Sequence, residues 1–306
     1  MTIAYISHSA CGLHTMGDNH PEAPARLAAI EDQLLASGLE FALRRYEAPA
    51  ATREQLRRVH DAHYVERIFS LVPETGLRWL DADTAMNPHT LEAALYAAGA
   101  VVFAVDLVLG GEAQSAFCAV RPPGHHAERA AAMGFCFFNN VAVGAAHALA
   151  RHGLQRVAIV DFDVHHGNGT EDIFRDEHRV LFCSSFQHPL FPHAGTDVPG
   201  AHMVKTPLDA GTGSLAFRAR VESEWLEALD EFEPELILVS AGFDAHWQDE
   251  MADLNLSERD YAWVTRELHE LAARHANGRI VSVLEGGYAL PALARSVVAH
   301  LQALLG

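Results

Sequence analysis

The stretch VAIVDFDVHHGNGTEDIF, residues 157–174, sets two aspartates, two histidines and two glycines directly behind a run of aliphatic residues. If the chain stays extended past Val160, alternate side chains share a face, and Asp161, Asp163 and His165 point the same way. Two carboxylates and an imidazole on one face are donors for a divalent cation. The same spacing, taken alone, also suits an aspartate capping a helix and a histidine satisfied inside a core. Gly167 and Gly169 predict a tight turn into a helix over TEDIF. A third donor stands elsewhere: Asp244, in SAGFDAH. Asp163, His165 and Asp244 would leave one side of a metal open to water and substrate, as a catalytic rather than structural zinc site requires. Iron or another divalent metal suits the same oxygen and nitrogen donors.

A metal does not by itself move protons. In RPPGHHA, His125 and His126 follow a Pro-Pro-Gly turn, and a histidine beside an activated water is a suitable general base because its pKa lies near neutrality. Asp161 and Asn168 are candidates to orient the two rings. Tyr288 follows two glycines in LEGGY. Its hydroxyl either packs wet at a turn or donates to a developing oxyanion. Activated water, histidine base and tyrosine donor together describe amide hydrolysis.

These residues need a scaffold that gathers them. Continuous apolar runs at 3–6, 115–120, 157–160, 180–183, 236–240 and 280–284 suit a parallel sheet covered on both faces. Helical patterns lie between them: Leu27, Ile30 and Leu34 on one face, an Ala-rich buried helix over 90–111, and helices over 139–152 and 257–275. The alternation predicts a doubly wound α/β fold in a single domain over 1–306. In open parallel sheets, function gathers beyond the carboxyl ends of strands, and five of the six runs are followed there by polar, ionisable or Gly-rich loops.

Composition narrows the partners. The 306 residues carry a formal charge of −18, which disfavours nucleic acid and anionic membranes and favours a cationic substrate; solubility alone also explains it. No apolar run is read as approaching the roughly 20 residues that span a bilayer, and a soluble, cytoplasmic protein is expected. The four cysteines, Cys11, Cys118, Cys136 and Cys183, stand far apart, so no disulfide framework is expected.

With these residues in hand, the chain resembles the zinc-dependent histone deacetylases, most closely their bacterial class II-like deacetylase and amidohydrolase relatives. The resemblance rests on HTMGDNHPEAPARL (14–27), VHDAHYV (59–65), RPPGHHA (121–127), MGFCFFNNVAV (133–143), VDFDVHHGNGT (160–170), SAGFDAH (240–246) and LEGGY (284–288), in the family's order. It implies the arginase/deacetylase fold, α/β, with a mostly parallel sheet of about eight strands flanked by helices. It implies zinc on Asp163, His165 and Asp244, with His126 as principal general base and acid. His125 would be an electrostatic partner oriented by Asp161, and Tyr288 the oxyanion donor; members with histidine there are weak deacetylases, so an active enzyme is expected. Asn168 stands where class I members carry aspartate. The resemblance further implies a structural potassium ion on Asp161, Asp163, His165, Ser184 and Ser185, largely through backbone carbonyls. Gly134, Phe135 and Phe191 would wall a narrow acyl-lysine tunnel, and Asp83 would be the rim aspartate gripping the substrate backbone.

The expected reaction is hydrolysis of Nε-acyl-lysine in proteins or peptides to a carboxylate and a free amine. Acetylpolyamine deacetylation is the nearest alternative. Met251 stands where the polyamine-selective member carries a gatekeeping glutamate, Glu250 is its neighbour, and Glu22, Asp249 and Asp253 are read as acids that sharpen the mouth's charge. A binuclear manganese ureohydrolase, a remote alternative, would need further carboxylate ligands, and GFDAH has one aspartate where a D-x-D pair is expected. Departures from the family pattern are Phe186, the PHAG run at 192–195 and Trp247, which is expected to cap the mouth or pack at an oligomer contact. Bacterial relatives often form dimers or tetramers, which makes homo-oligomerisation an expectation by analogy.

Overall fold

The computed structural model describes residues 2–197 and 200–306. Eight strands form one sheet: Ile3–Ser7 (β1), Leu43–Glu47 (β2), Ser115–Cys118 (β3), Val157–Asp161 (β4), Val180–Gln187 (β5), Met203–Leu208 (β6), Leu236–Ala241 (β7) and Ile280–Leu284 (β8). Their spatial order is β2-β1-β3-β8-β7-β4-β5-β6, and every neighbouring pair is parallel. Six of these were legible as apolar runs because both faces are covered. The two missed strands, LRRYE and MVKTPL, are the sheet edges, where half-exposed charges and Pro207 break the apolar pattern.

Helices cover both faces, and each face holds its own apolar core. Ala25–Ser37, Glu258–His275 and Leu290–Leu305 pack together on one side. The last of these has no counterpart among the sequence patterns read above. On the other side Thr90–Leu109 packs against Asn140–Arg151. Contrary to the reading of the apolar runs, Thr90–Leu109 is by length and composition a 20-residue helix apolar enough to cross a membrane. Here it is mostly buried: Ala93, Ala97, Val101, Ala104 and Val105 are wholly enclosed, and a helix apolar on all sides is one that protein covers on nearly all sides. All four cysteines are free and buried.

The strand order has a direct consequence for the loops. β3, β8, β7 and β4 are consecutive in the middle of the sheet, so the segments after residues 118, 284, 241 and 161 emerge side by side at one end. β5 runs through Gln187, so Ser184 and Ser185 lie within a strand rather than in the loop expected after residue 183, and Ser184 is the register partner of Asp161.

Candidate active site

β4 ends at Asp161, and the alternation expected to align three side chains ends with it. Oδ1 of Asp161 accepts the N–H of Asp163 (3.1 Å), and Oδ1 of Asp163 accepts that of His165 (2.9 Å), so the chain turns at each aspartate. The result separates the three. Asp161 aims Oδ2 at Nδ1 of His125, 2.9 Å away, while Asp163 and His165 converge on Asp244 from β7.

Asp163, His165 and Asp244 are all buried, and one donor atom from each lies within 4.8 Å of the others. Nδ1 of His165 sits 3.0 Å from Oδ1 of Asp163 and 3.3 Å from Oδ2 of Asp244. Oδ1 of Asp244 accepts the N–H of Val164, but Oδ2 has no aligned hydrogen-bond partner although it is sealed from water. Burial raises the Asp244 carboxyl to about 6, with Asp163 adding repulsion. Burial opposes charge on His165 as well, yet the two carboxylates push its pKa up to about 10. A site that draws a proton this strongly between two buried carboxylates is built for a cation, and the orphaned oxygen supplies a ready ligand. The donor set fits zinc.

The glycines act by allowing close approach. A Cβ on Gly286 would lie 2.1 Å from Oδ2 of Asp244 and 2.5 Å from Oδ2 of Asp163, and the Gly286 N–H donates to Asp163 (2.8 Å). Gly167 was expected to enable a tight turn, but its φ of −73° is open to any residue; a side chain there would strike Asp161 Oδ2 at 2.3 Å. Gly169 lies within the helix Asn168–Phe174, where a Cβ would meet the Ala127 carbonyl at 2.3 Å.

The His125 and His126 rings lie 4.0 Å apart between centres, tilted by 42°, yet their environments pull their pKa values apart. Burial works against a charge on His125, but Asp161 and Asp163 outweigh it and hold its pKa well above the usual value. Burial, then the neighbouring His125 and His165, hold His126 well below it. His126 therefore keeps a lone pair at neutral pH, and its Nδ1 is 2.8 Å from Oδ1 of Asn168. Burial keeps the Tyr288 phenol protonated, its pKa well above the ordinary one.

These groups line one cavity of about 330 Å³. Its walls are Pro123, Gly134, Phe135, Leu190, Phe191, Met251 and Gly286, with Asp83, His125, His126, His165 and Tyr288 contributing the titratable groups of the lining. Phe191 meets the His126 ring edge-on at 5.1 Å, and Phe135 meets Tyr288 at 6.0 Å. Phe135 holds a left-handed φ of 69° and donates its N–H to Thr84 Oγ1, whose hydroxyl in turn donates to Asp83 (2.7 Å). Backbone strain of this kind persists only where its surroundings enforce it.

The chain matches the family described as the histone deacetylase domain over residues 20–304. It is 41% identical over 276 residues to a histone deacetylase-like amidohydrolase of Pseudomonas aeruginosa, covering 88% of this chain and 72% of that protein. The chain belongs to the histone deacetylase family. A probable deacetylase of Archaeoglobus fulgidus is 36% identical, with 95% of this chain and 82% of the relative covered. The human polyamine deacetylase HDAC10 is 40% identical over 93% of this chain, which spans 44% of that protein. Among solved structures, the HDA15 HD domain superposes with a TM-score of 0.94 at 31% identity, covering 100% of this chain and 88% of the other. As a histone deacetylase family member the chain is a hydrolase acting on amides.

Several expectations need correction. Glu22 contributes nothing to an acidic mouth: it is fully buried in a network with Arg121, Arg26 and His14. Asp249 is largely buried, accepting the N–H groups of Met251, Tyr288 and Ala289, although it lines a small cavity beside the channel. Trp247 is exposed, stacks on His246 and stays out of the cavity lining, so of its two readings the capping of the mouth is not what the structure shows. Phe186 is buried against His166.

Other residues escaped the sequence reading. Glu285 accepts the N–H groups of Gly124 and His125 and the Ser240 hydroxyl, tying the tandem-histidine loop to β7 and β8; burial raises it to about 7. Arg26 donates to the carbonyls of Glu285 and Gly287, and its guanidinium lies 4.9 Å from the Tyr288 ring centre. A charged residue adjoining a Gly-Gly turn at a strand end was the available signal for Glu285. Nothing local marks Arg26.

Among the described residues a second cluster of metal-type donors joins Asp106, His147 and His152 outside the cavity. Asp106 accepts from Nε2 of both rings (2.8 and 2.7 Å), and the Arg58 guanidinium donates to Nδ1 of His147 (3.0 Å). That leaves the His147 proton on Nε2, directed at Asp106, so the cluster satisfies itself without an ion.

Proposed function

We propose that the chain is a zinc-dependent deacylase of Nε-acyl-lysine in proteins or peptides. The observation that carries this reading is the apolar channel of Phe135, Leu190, Phe191 and Met251, which is also lined by the neutral His126 and by His165, the member of the Asp163, His165 and Asp244 trio that reaches it. Such walls suit an aliphatic stem and exclude water from the amide. Asp163, His165 and Asp244 would hold the zinc ion, which when bound supplies Lewis acidity to a carbonyl and to a water molecule.

The chain's own groups divide the remaining work. Nε2 of His126 takes a proton from the attacking water as the water oxygen bonds to the acyl carbon. Tyr288 donates its hydroxyl to the oxyanion that develops on the acyl oxygen. His125, held cationic by Asp161, adds positive potential beneath the site. The proton on His126 then passes to the leaving nitrogen as the C–N bond breaks, giving a carboxylic acid and a free amine. Asp83, in the channel lining, would accept from the substrate backbone.

A structural potassium ion belongs to the same reading, held by Asp161, Asp163, His165, Ser184 and Ser185. Asp161 and Ser184 face each other across β4 and β5 and are fully buried, the setting a water-excluded cation requires.

Deacetylation of acetylpolyamines is the second reading, supported by a smaller adjoining cavity that shares Met251 and Tyr288 with the channel and is lined by Glu250. Side-by-side turnover of an acetyl-lysine peptide and acetylputrescine by zinc-loaded enzyme tests both. A much higher kcat/KM on the peptide supports the first reading, preference for acetylputrescine replaces it with the second, and turnover of neither overturns both.

A further inference from the structure

Asn168 is engaged at both ends of its amide. Its oxygen faces Nδ1 of His126 (2.8 Å), and its nitrogen donates to Oε1 of Glu128 (2.8 Å), with Met133 Sδ at 3.3 Å. The two ends of an amide are nearly isosteric but opposite in hydrogen-bond sense. With oxygen toward His126, Nδ1 carries the ring proton and Nε2 keeps its lone pair. With nitrogen toward His126, Nδ1 must accept, the proton moves to Nε2, and the ring cannot take a proton from water.

Glu128 removes that ambiguity. An ionised carboxylate only accepts, so it stabilises Asn168 with its NH2 outward and its oxygen toward His126. Glu128 is itself anchored: its carbonyl lies 2.9 Å from Nδ1 of His60, and its N–H donates to the Ala131 carbonyl. We propose that Glu128 is a positioning residue that fixes the direction of the Asn168 amide and thereby the tautomer of His126. This rests on the reading of His126 as the base and extends it by one residue. A carboxylate at position 168 would have no donor end and would need no such guard.

The test uses zinc-loaded enzyme labelled with 15N in its histidine rings, with His126 assigned by its absence in His126→Gln. The wild-type ring is expected to show a protonated Nδ1 and a bare Nε2. In Glu128→Gln the partner can accept or donate, so the Nε2-protonated form should become populated. The kcat should fall ~10-fold or more, with KM little changed. Glu128→Met, which keeps the stem and lacks the carboxylate, should do the same and serves if the glutamine variant folds poorly. In an Asn168→Asp background, Glu128→Gln should cause no further loss, because the amide it guarded is gone.

An unchanged His126 tautomer in both Glu128 variants, or an equal loss in the two backgrounds, overturns the proposal. The ring-nitrogen measurement needs no substrate, so failure of the proposed activity and failure of this assignment are separately visible.

Discussion

Oδ2 of Asp249 accepts the backbone N–H of Tyr288 at 2.6 Å and that of Ala289 at 2.9 Å, so a buried carboxylate sets where the tyrosine leaves the Gly-Gly turn. Asp249→Ala frees that turn without touching the Asp163, His165 and Asp244 trio. We expect kcat to fall roughly 10–100-fold while zinc content per chain stays at the wild-type value, measured by elemental analysis alongside turnover.

Gly286→Ala places a methyl group against Oδ2 of Asp244 and Asp163, at 2.1 and 2.5 Å before any relaxation. Two buried carboxylates cannot both keep their positions. The variant should fold, by circular dichroism, and retain substantially less zinc after dialysis than the wild type.

Removing the metal should also lower stability, because it leaves Asp163, His165 and Asp244 packed together with one oxygen unpartnered. Chelation is expected to lower the Tm and abolish turnover, and stoichiometric zinc to restore both. A ligand at 100 times its Kd stabilises the native state by about 2.7 kcal/mol, which sets the scale. An unchanged Tm on chelation would speak against tight binding at this site.

Glu22 and Arg121 form a wholly buried ion pair, with Arg26 also against Glu22. Burial works to raise the Glu22 pKa, but Arg121 and His14 outweigh it and hold the carboxyl well below its usual range. Glu22→Ala leaves two buried guanidiniums short of a counter-charge, and a loss on the order of 3–5 kcal/mol in urea unfolding is expected. Conversely, stability from this pair is present above the ordinary glutamate pKa and declines as pH falls through the depressed native value.

His60 gives a pH dependence of the same sign, but from a ring that stays neutral. Its Nδ1 lies 2.9 Å from the Glu128 carbonyl, and its Nε2 accepts the N–H of Asn139 at 2.9 Å, so the ring has no room for a second proton. Burial lowers its pKa to about 4. Below the ordinary value near 6.5 the unfolded chain takes up a proton the native ring refuses, so stability is full above about 6.5 and declines toward pH 4. The loss from this ring is on the order of 3 kcal/mol. Unfolding curves between pH 7 and 4 should show it, and His60→Gln should flatten that part of the profile.

The sequence by itself determined the six strands covered on both faces, because a strand covered on both faces must be apolar along its whole length. It also put Asp163, His165, Asp244, His125, His126 and Tyr288 just past such strands, and the strand order brings those ends together. What it left undecided is what only a three-dimensional neighbour supplies. The edge strands were hidden because exposure on one side removes the apolar signal. Strand alternation alone grouped Asp161 with Asp163 on one face, whereas the turning chain sends one to His125 and the other toward Asp244. Glu22 and Asp249 read as surface acids, for nothing within a few residues of either announces the arginines and backbone amides that bury them. Residue chemistry is local and so is written in the sequence; charge compensation and orientation come from groups up to 261 positions apart, as between Arg26 and Gly287, and only the packed sheet brings them together.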